Sequence, residues 1–153
     1  MSKVKIFTDG ASRGNPGESA IGILICDEKG KKIKTHGEHL GTATNNQAEY
    51  KALLKSLELL KKLKDKNNIS AIEFYSDSEL MVNQVNFDFR VKEPELALLN
   101  NKFHVLAKKL EIPYKISYIE RSLNKEADRL ANEALDKRKK TKPEDSETGS
   151  LFG

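Results

Sequence analysis

The sequence of 153 residues has one cysteine, no tryptophan, four prolines and no apolar run approaching the length of a bilayer span. A single thiol, Cys26, excludes an intrachain disulfide, and one Cys with three scattered His cannot build a structural zinc site, so stability has to come from packing. The longest apolar stretch, Ile21 to Cys26, falls far short of the roughly 20 residues of a transmembrane helix. The opening Met1-Ser2-Lys3-Val4-Lys5-Ile6-Phe7-Thr8-Asp9 lacks the basic-then-apolar order of a secretory leader, so no membrane partner and a cytoplasmic location are expected. Aromatics are scarce at 7%, yet hydrophobic residues reach 37%, enough for one buried core in a chain of single-domain length. Lys and Arg number 27 against 23 Asp and Glu, a net charge of +4 that permits a polyanionic partner without demanding one.

What is present is a clear alternation of strand and helix periods. Val4, Ile6 and Thr8 alternate with Lys5, Phe7 and Asp9, which predicts a strand delivering Asp9 into a loop of small residues, Gly10 to Gly17. Residues 20–26 predict a second strand, and a hairpin at Asp27-Glu28-Lys29-Gly30 leads to a third extending to about His39. Thr44-Asn45-Asn46-Gln47 has the spacing of a capping box, with Glu49 in the first turn and Leu53, Leu54, Leu57, Leu60 and Leu63 continuing the helix to about Asn68. Ile69 to Ser76 predicts a fourth strand that delivers Asp77, followed by a short helix to Gln84 and a loop from Asn86 to Glu93. Pro94 opens a helix carrying Leu96, Leu99, Phe103, Leu106 and Leu110, Tyr114 to Ile119 is a fifth strand, and Asn124 caps a last helix containing Asp128. This is a mixed α/β layout with helices on both faces of a five-stranded sheet over residues 1–137, followed by a polar, flexible tail, 138–153.

Four acids stand out by placement: Asp9 and Asp77 end strands, while Glu49 and Asp128 lie near helix starts. Each has an ordinary explanation, as a turn residue or as a favourable charge at a helix N-terminus. Gathered in one pocket they would repel strongly, which is tenable only with protonation or with cations, and oxygen-only ligands suit magnesium.

Their surroundings resemble the type 1 ribonuclease H family in four ordered motifs: Phe7-Thr8-Asp9-Gly10-Ala11-Ser12 with Gly14-Asn15-Pro16-Gly17, Thr44 to Glu49, Tyr75-Ser76-Asp77-Ser78, and Asn124 to Ala131. The resemblance implies a ribonuclease H-like fold, in which three antiparallel strands are followed by two parallel ones. It implies an endonuclease that hydrolyses the RNA strand of RNA–DNA hybrids to 5′-phosphate and 3′-hydroxyl ends. Two magnesium ions, or manganese, would be held by Asp9, Glu49, Asp77 and Asp128, with Asp9 shared between them. By the same resemblance Asn15, Asn45, Asn46 and Asn124 would contact the hybrid and Thr44 a DNA-strand phosphate; amides can read the RNA 2′-hydroxyl, which donates and accepts.

The pattern also departs from many family members. The loop before the last helix has no His, and Arg121 is the one side chain there that could assist, by charge or positioning. No basic, Trp-bearing extension is present; Phe87, Phe89, Arg90 and Lys92 could form a reduced contact, although the two Phe are expected as buried loop anchors. Ser150, Leu151 and Phe152 resemble the end of a sliding-clamp docking peptide, with Thr148 where Gln is usual. The overall expectation is a monomer acting on hybrids. Its competitors are a non-catalytic hybrid- or double-stranded-RNA-binding domain of the same fold and another metal nuclease of that fold.

Overall fold

The computed structural model describes residues 2–137, the side chains of 64–67 excepted. Its sheet contains β1 (Ser2–Gly14), β2 (Gly17–Asp27), β3 (Lys32–Ala43), β4 (Ile69–Ser76) and β5 (Tyr114–Tyr118), in the spatial order β3-β2-β1-β4-β5. β1, β2 and β3 pair antiparallel, whereas β4 and β5 add in parallel beside β1. The helices are α1 (Asn45–Asn67), α2 (Glu79–Val85), α3 (Pro94–Leu110) and α4 (residues 125–137).

Strand alternation decides which helix each face receives. Ile6 pairs with Ile25 and Thr8 with Ile23, and these buried side chains form the face covered by α1 and α3. Phe103 of α3 meets Phe74 of β4 edge-on there, ring centroids 5.8 Å apart. Phe7 and Asp9 point to the opposite face, where α4 lies over Gly22 and Gly37, paired neighbours on β2 and β3. Among the described residues no helix is long and apolar enough to cross a membrane.

The small-residue segment Gly10 to Gly17 is not the loop its composition suggests. Its first half continues β1 and pairs onto β2 as far as Gly14 with Gly17, leaving a two-residue turn at Asn15–Pro16. Small side chains let the hairpin run past the end of the core, and β3 follows the lengthened β2 to Ala43. The capping box is present as read: Thr44 N donates to Gln47 Oε1 at 2.9 Å, and Gln47 N to Thr44 Oγ1 at 3.1 Å. Glu49, however, lies beyond the first turn of α1.

On α3 the fully buried line is Leu96, Asn100, Phe103, Ala107 and Leu110, with Leu99 and Leu106 only partly buried at its margin. Asn100 belongs to that line because it completes a buried bridge: Asn100 Nδ2 donates to Tyr50 Oη at 3.2 Å, and Tyr50 donates to Gln84 Oε1 at 2.7 Å. One hydroxyl, on the residue after Glu49, thereby joins α1, α2 and α3. A buried polar chain of this kind is stable because each member has a partner, and it orients the helices more sharply than apolar contact.

Candidate active site

The parallel register of β1 and β4 pairs Thr8 with Ser76, so the next residues, Asp9 and Asp77, leave adjacent strands side by side. Asp9 is 4% exposed and Asp77 is half-buried. Glu49 enters from α1 because Gly10 lets the helix come close: a methyl group at position 10 would lie 2.5 Å from the Ala48 carbonyl carbon. The Gly10 N–H donates to Glu49 Oε1 at 3.1 Å and aims the carboxylate at Asp9.

Asp128 is supplied by α4, whose approach is set by two glycines and one amide. A methyl group on Gly22 would lie 2.0 Å from the Ala127 carbonyl oxygen, and one on Gly37 would lie 2.8 Å from that of Leu130. Asn124 Nδ2 donates to the Thr8 main-chain oxygen at 2.9 Å, fastening the start of α4 beside Asp9. At the other end Arg13 Nη2 meets Asp136 Oδ1 at 2.7 Å.

The result is a cleft of about 440 Å³ lined by all four acids together with Asn45, Tyr118, Arg121 and Asn132. One carboxylate oxygen from each of Asp9, Glu49 and Asp77 lies within 4.8 Å of the others. Burial foremost, then the charges of Glu49, Asp77 and Asp128, push the Asp9 carboxyl far above the usual carboxylate range. Burial and Asp77 push Glu49 upward as well, opposed by the Gly10 N–H and by Arg121. Charges assembled at such cost need a cation or protons, and a close all-oxygen set fits a hard divalent ion. The ordinary explanations for single acids therefore do not describe these four. A larger cavity, about 580 Å³, opens between α1 and α3 and contains none of them.

The residues expected to contact a nucleic acid separate into two places and one exception. Asn15, Thr44 and Asn46 line an adjoining cleft of about 570 Å³ with Arg90 and Lys92. Asn15 Oδ1 accepts from Asn45 N at 3.0 Å, tying the hairpin tip to the start of α1. Asn45 itself lines the acidic cleft. Asn124 is the exception: it is 1% exposed, and its Oδ1 accepts no hydrogen bond, so its side chain does not cap α4. Its Nδ2 bond to Thr8 makes it a tether between β1 and α4.

Arg121 stands at the cleft mouth, 81% exposed, its Nη2 3.7 Å from Asp128 Oδ1. The buried-anchor expectation for Phe87 and Phe89 is overturned. Phe89 is exposed, and Phe87, 78% exposed at a left-handed φ of 66°, stacks on His104 with centroids 4.7 Å apart. The turn after Val85 directs that ring outward, a conformation side-chain hydrophobicity does not signal. Asn132 escaped the sequence reading, though its i+4 spacing from Asp128 was a usable signal. Ser150, Leu151 and Phe152 lie outside the described residues.

Residues 7–134 match the family described as reverse transcriptase-like. Over 134 residues the chain is 36% identical to ribonuclease HI of Halobacterium salinarum, covering 88% of this chain and 65% of that protein. It is 34% identical to a ribonuclease H of Clostridium botulinum, covering 89% of this chain and 97% of the relative. The chain thus spans about two thirds of the halobacterial relative, and 36% of a longer mycobacterial one. The structure of LC11-RNase H1 in complex with RNA/DNA hybrid superposes with a TM-score of 0.83 at 39% identity, covering 88% of this chain and 97% of that one.

Proposed function

The chain belongs to the ribonuclease H family, and from that membership and its gathered carboxylates we propose that it is an endonuclease cutting the RNA strand of RNA–DNA hybrids. The observation that carries this reading is the approach of Asp9, Glu49 and Asp77 to within 4.8 Å, with Asp128 alongside.

Asp9, Glu49, Asp77 and Asp128 would hold divalent ions of the magnesium class. Bound there, such ions supply Lewis acidity for phosphodiester hydrolysis, activating water and stabilising the leaving oxygen. Asp9 interacts with Glu49, Asp77 and Asp128 alike, so it would be the carboxylate common to the ions held there. Gly10 keeps Glu49 aimed by its N–H, and the burial of Asp9, 4% exposed, limits water around it.

Substrate choice is assigned to the amides and the adjoining cleft. Asn45 and Asn46 are exposed on the first turn of α1, beside the acids, where they can donate to and accept from ribose 2′-hydroxyls. Thr44, Asn15, Arg90 and Lys92 present polar and cationic groups for the phosphates of the second strand. Exposed Phe87 and Phe89 on the same loop as Arg90 add a stacking surface in place of a Trp-bearing extension.

The test is incubation of the protein with a labelled RNA–DNA hybrid and magnesium, beside Asp9→Asn and a chelated sample. Internal cuts ending in 3′-hydroxyl, absent from both controls, are expected. An intact hybrid that is nevertheless bound, with magnesium and with manganese, would replace this reading by a binding domain. Equal cutting of DNA–DNA duplexes would replace it by another nuclease of the fold.

A further inference from the structure

Asn132 stands one helical turn beyond Asp128 on α4, and its amide is committed to that residue. Nδ2 donates to the Asp128 main-chain oxygen at 3.0 Å and to carboxylate Oδ1 at 3.1 Å. The two bonds share one NH2 group, so the side chain is held in a single orientation, half-buried in the wall of the acidic cleft. Arg121 approaches the same Oδ1, but at 3.7 Å and with most of its side chain in water. An exposed, flexible cation at that distance contributes little to fixing a rotamer.

Asp128 needs such a hold more than the other acids. Asp9 and Asp77 are placed by paired strands, and Glu49 is aimed by a backbone N–H. Asp128 projects from a helix surface and is outside the set of three whose oxygens lie within 4.8 Å. Building on the proposed nuclease reading, we propose that Asn132 is a positioning residue: it occupies Asp128 Oδ1 and thereby presents Oδ2 to the half of the site shared with Asp9.

The chemistry of the side chain suits this task. A Lys or Arg at position 132 would neutralise the carboxylate and compete with a cation. An Asp would add a fifth negative charge to a site already crowded with four. A neutral amide donor orients the carboxylate while leaving its charge available, the way outer hydrogen bonds orient metal-binding groups generally.

The experiment compares the full chain with Asn132→Ala and Asn132→Gln. Three quantities are read: manganese binding to the hybrid-free protein by calorimetry, the magnesium dependence of hybrid cleavage, and the melting temperature. For Asn132→Ala, manganese affinity is expected to fall and half-saturating magnesium to rise, each by about tenfold. The KM for hybrid at saturating magnesium and the melting temperature should stay near wild type, and Gln, which keeps the donor, should recover part of the loss. A raised KM with unchanged metal response would overturn the proposal and make Asn132 a substrate contact. Unchanged values throughout, or a fall in melting temperature alone, would also overturn it. If the wild-type protein failed to cut hybrid, the nuclease reading would fail, and the manganese isotherm would still decide the role of Asn132.

Discussion

Gly22 on β2 and Ala127 on α4 meet backbone to backbone, so closely that a methyl group on Gly22 would lie 2.0 Å from the Ala127 carbonyl oxygen. Gly22 is also the paired neighbour of Asp9, and Ala127 precedes Asp128. The missing side chain at position 22 is therefore what allows a helix to bring the fourth acid to the first.

Gly22→Ala should push α4 from the sheet, because the obstacle is backbone and cannot rotate away. The expected cost is about 2–3 kcal/mol, typical of overpacking at a tight contact. Hybrid cleavage should fall at least tenfold even where the protein remains folded. Urea unfolding and a cleavage assay on the same preparation check both, and wild-type stability would refute the close approach.

The raised carboxyls of Asp9 and Glu49 give a signed pH dependence. The folded, metal-free protein holds these protons more tightly than the unfolded chain, where the groups titrate near 3.8 and 4.5. Its stability should consequently fall as pH rises above about 4 toward the raised folded values. Asp9→Asn removes one such group and should melt about 4 °C higher than wild type at pH 8 in chelator, the gap closing near pH 4. Magnesium should raise the wild-type melting temperature at pH 8 and leave the variant nearly unchanged, as calorimetry can show.

Ligand uptake should follow the same sign. Cation binding requires both carboxyls to lose their protons, so it should release protons, and apparent metal affinity should increase with pH. Titrations in buffers of different ionisation enthalpy measure the number released; none released would contradict the raised values.

Tyr50→Phe should cost about 1–2 kcal/mol, since it strands Gln84 Oε1 and Asn100 Nδ2 in the core without their common partner. Because that hydroxyl joins three helices from the residue next to Glu49, activity should drop by more than stability alone explains. Chemical unfolding beside single-turnover cleavage separates the two effects.

Arg90→Ala with Lys92→Ala should weaken hybrid binding and flatten its salt dependence, the log–log slope shrinking by about 1 for each phosphate that is no longer neutralised. Binding to catalytically silent Asp9→Asn protein across salt concentrations is the measurement. An unchanged slope would remove the adjoining cleft from the substrate path.

Much of the fold was legible in the sequence because its signals are local. The Thr44–Gln47 capping box, Pro94 at a helix start and the alternation of residues 69–76 each depend on neighbours a few positions away. The small residues of 10–17 misled because pairing with β2, a non-local partner, overrides their loop-like composition. Phe87 misled because a left-handed turn, rather than hydrophobicity, decides where its ring points.

The sequence by itself determined the order of elements, the four ordered acids and the family they signal, since periodicity and motif spacing are written along the chain. Only the tertiary structure decided that Asp9 and Asp77 are neighbours, that Asn124 is a tether, and that Asn132 grips Asp128. Those relations follow from strand register and from the depth to which α1 and α4 settle over Gly10 and Gly22. Both are set by contacts between distant segments, where a difference of one methyl group determines whether a helix can close on the sheet.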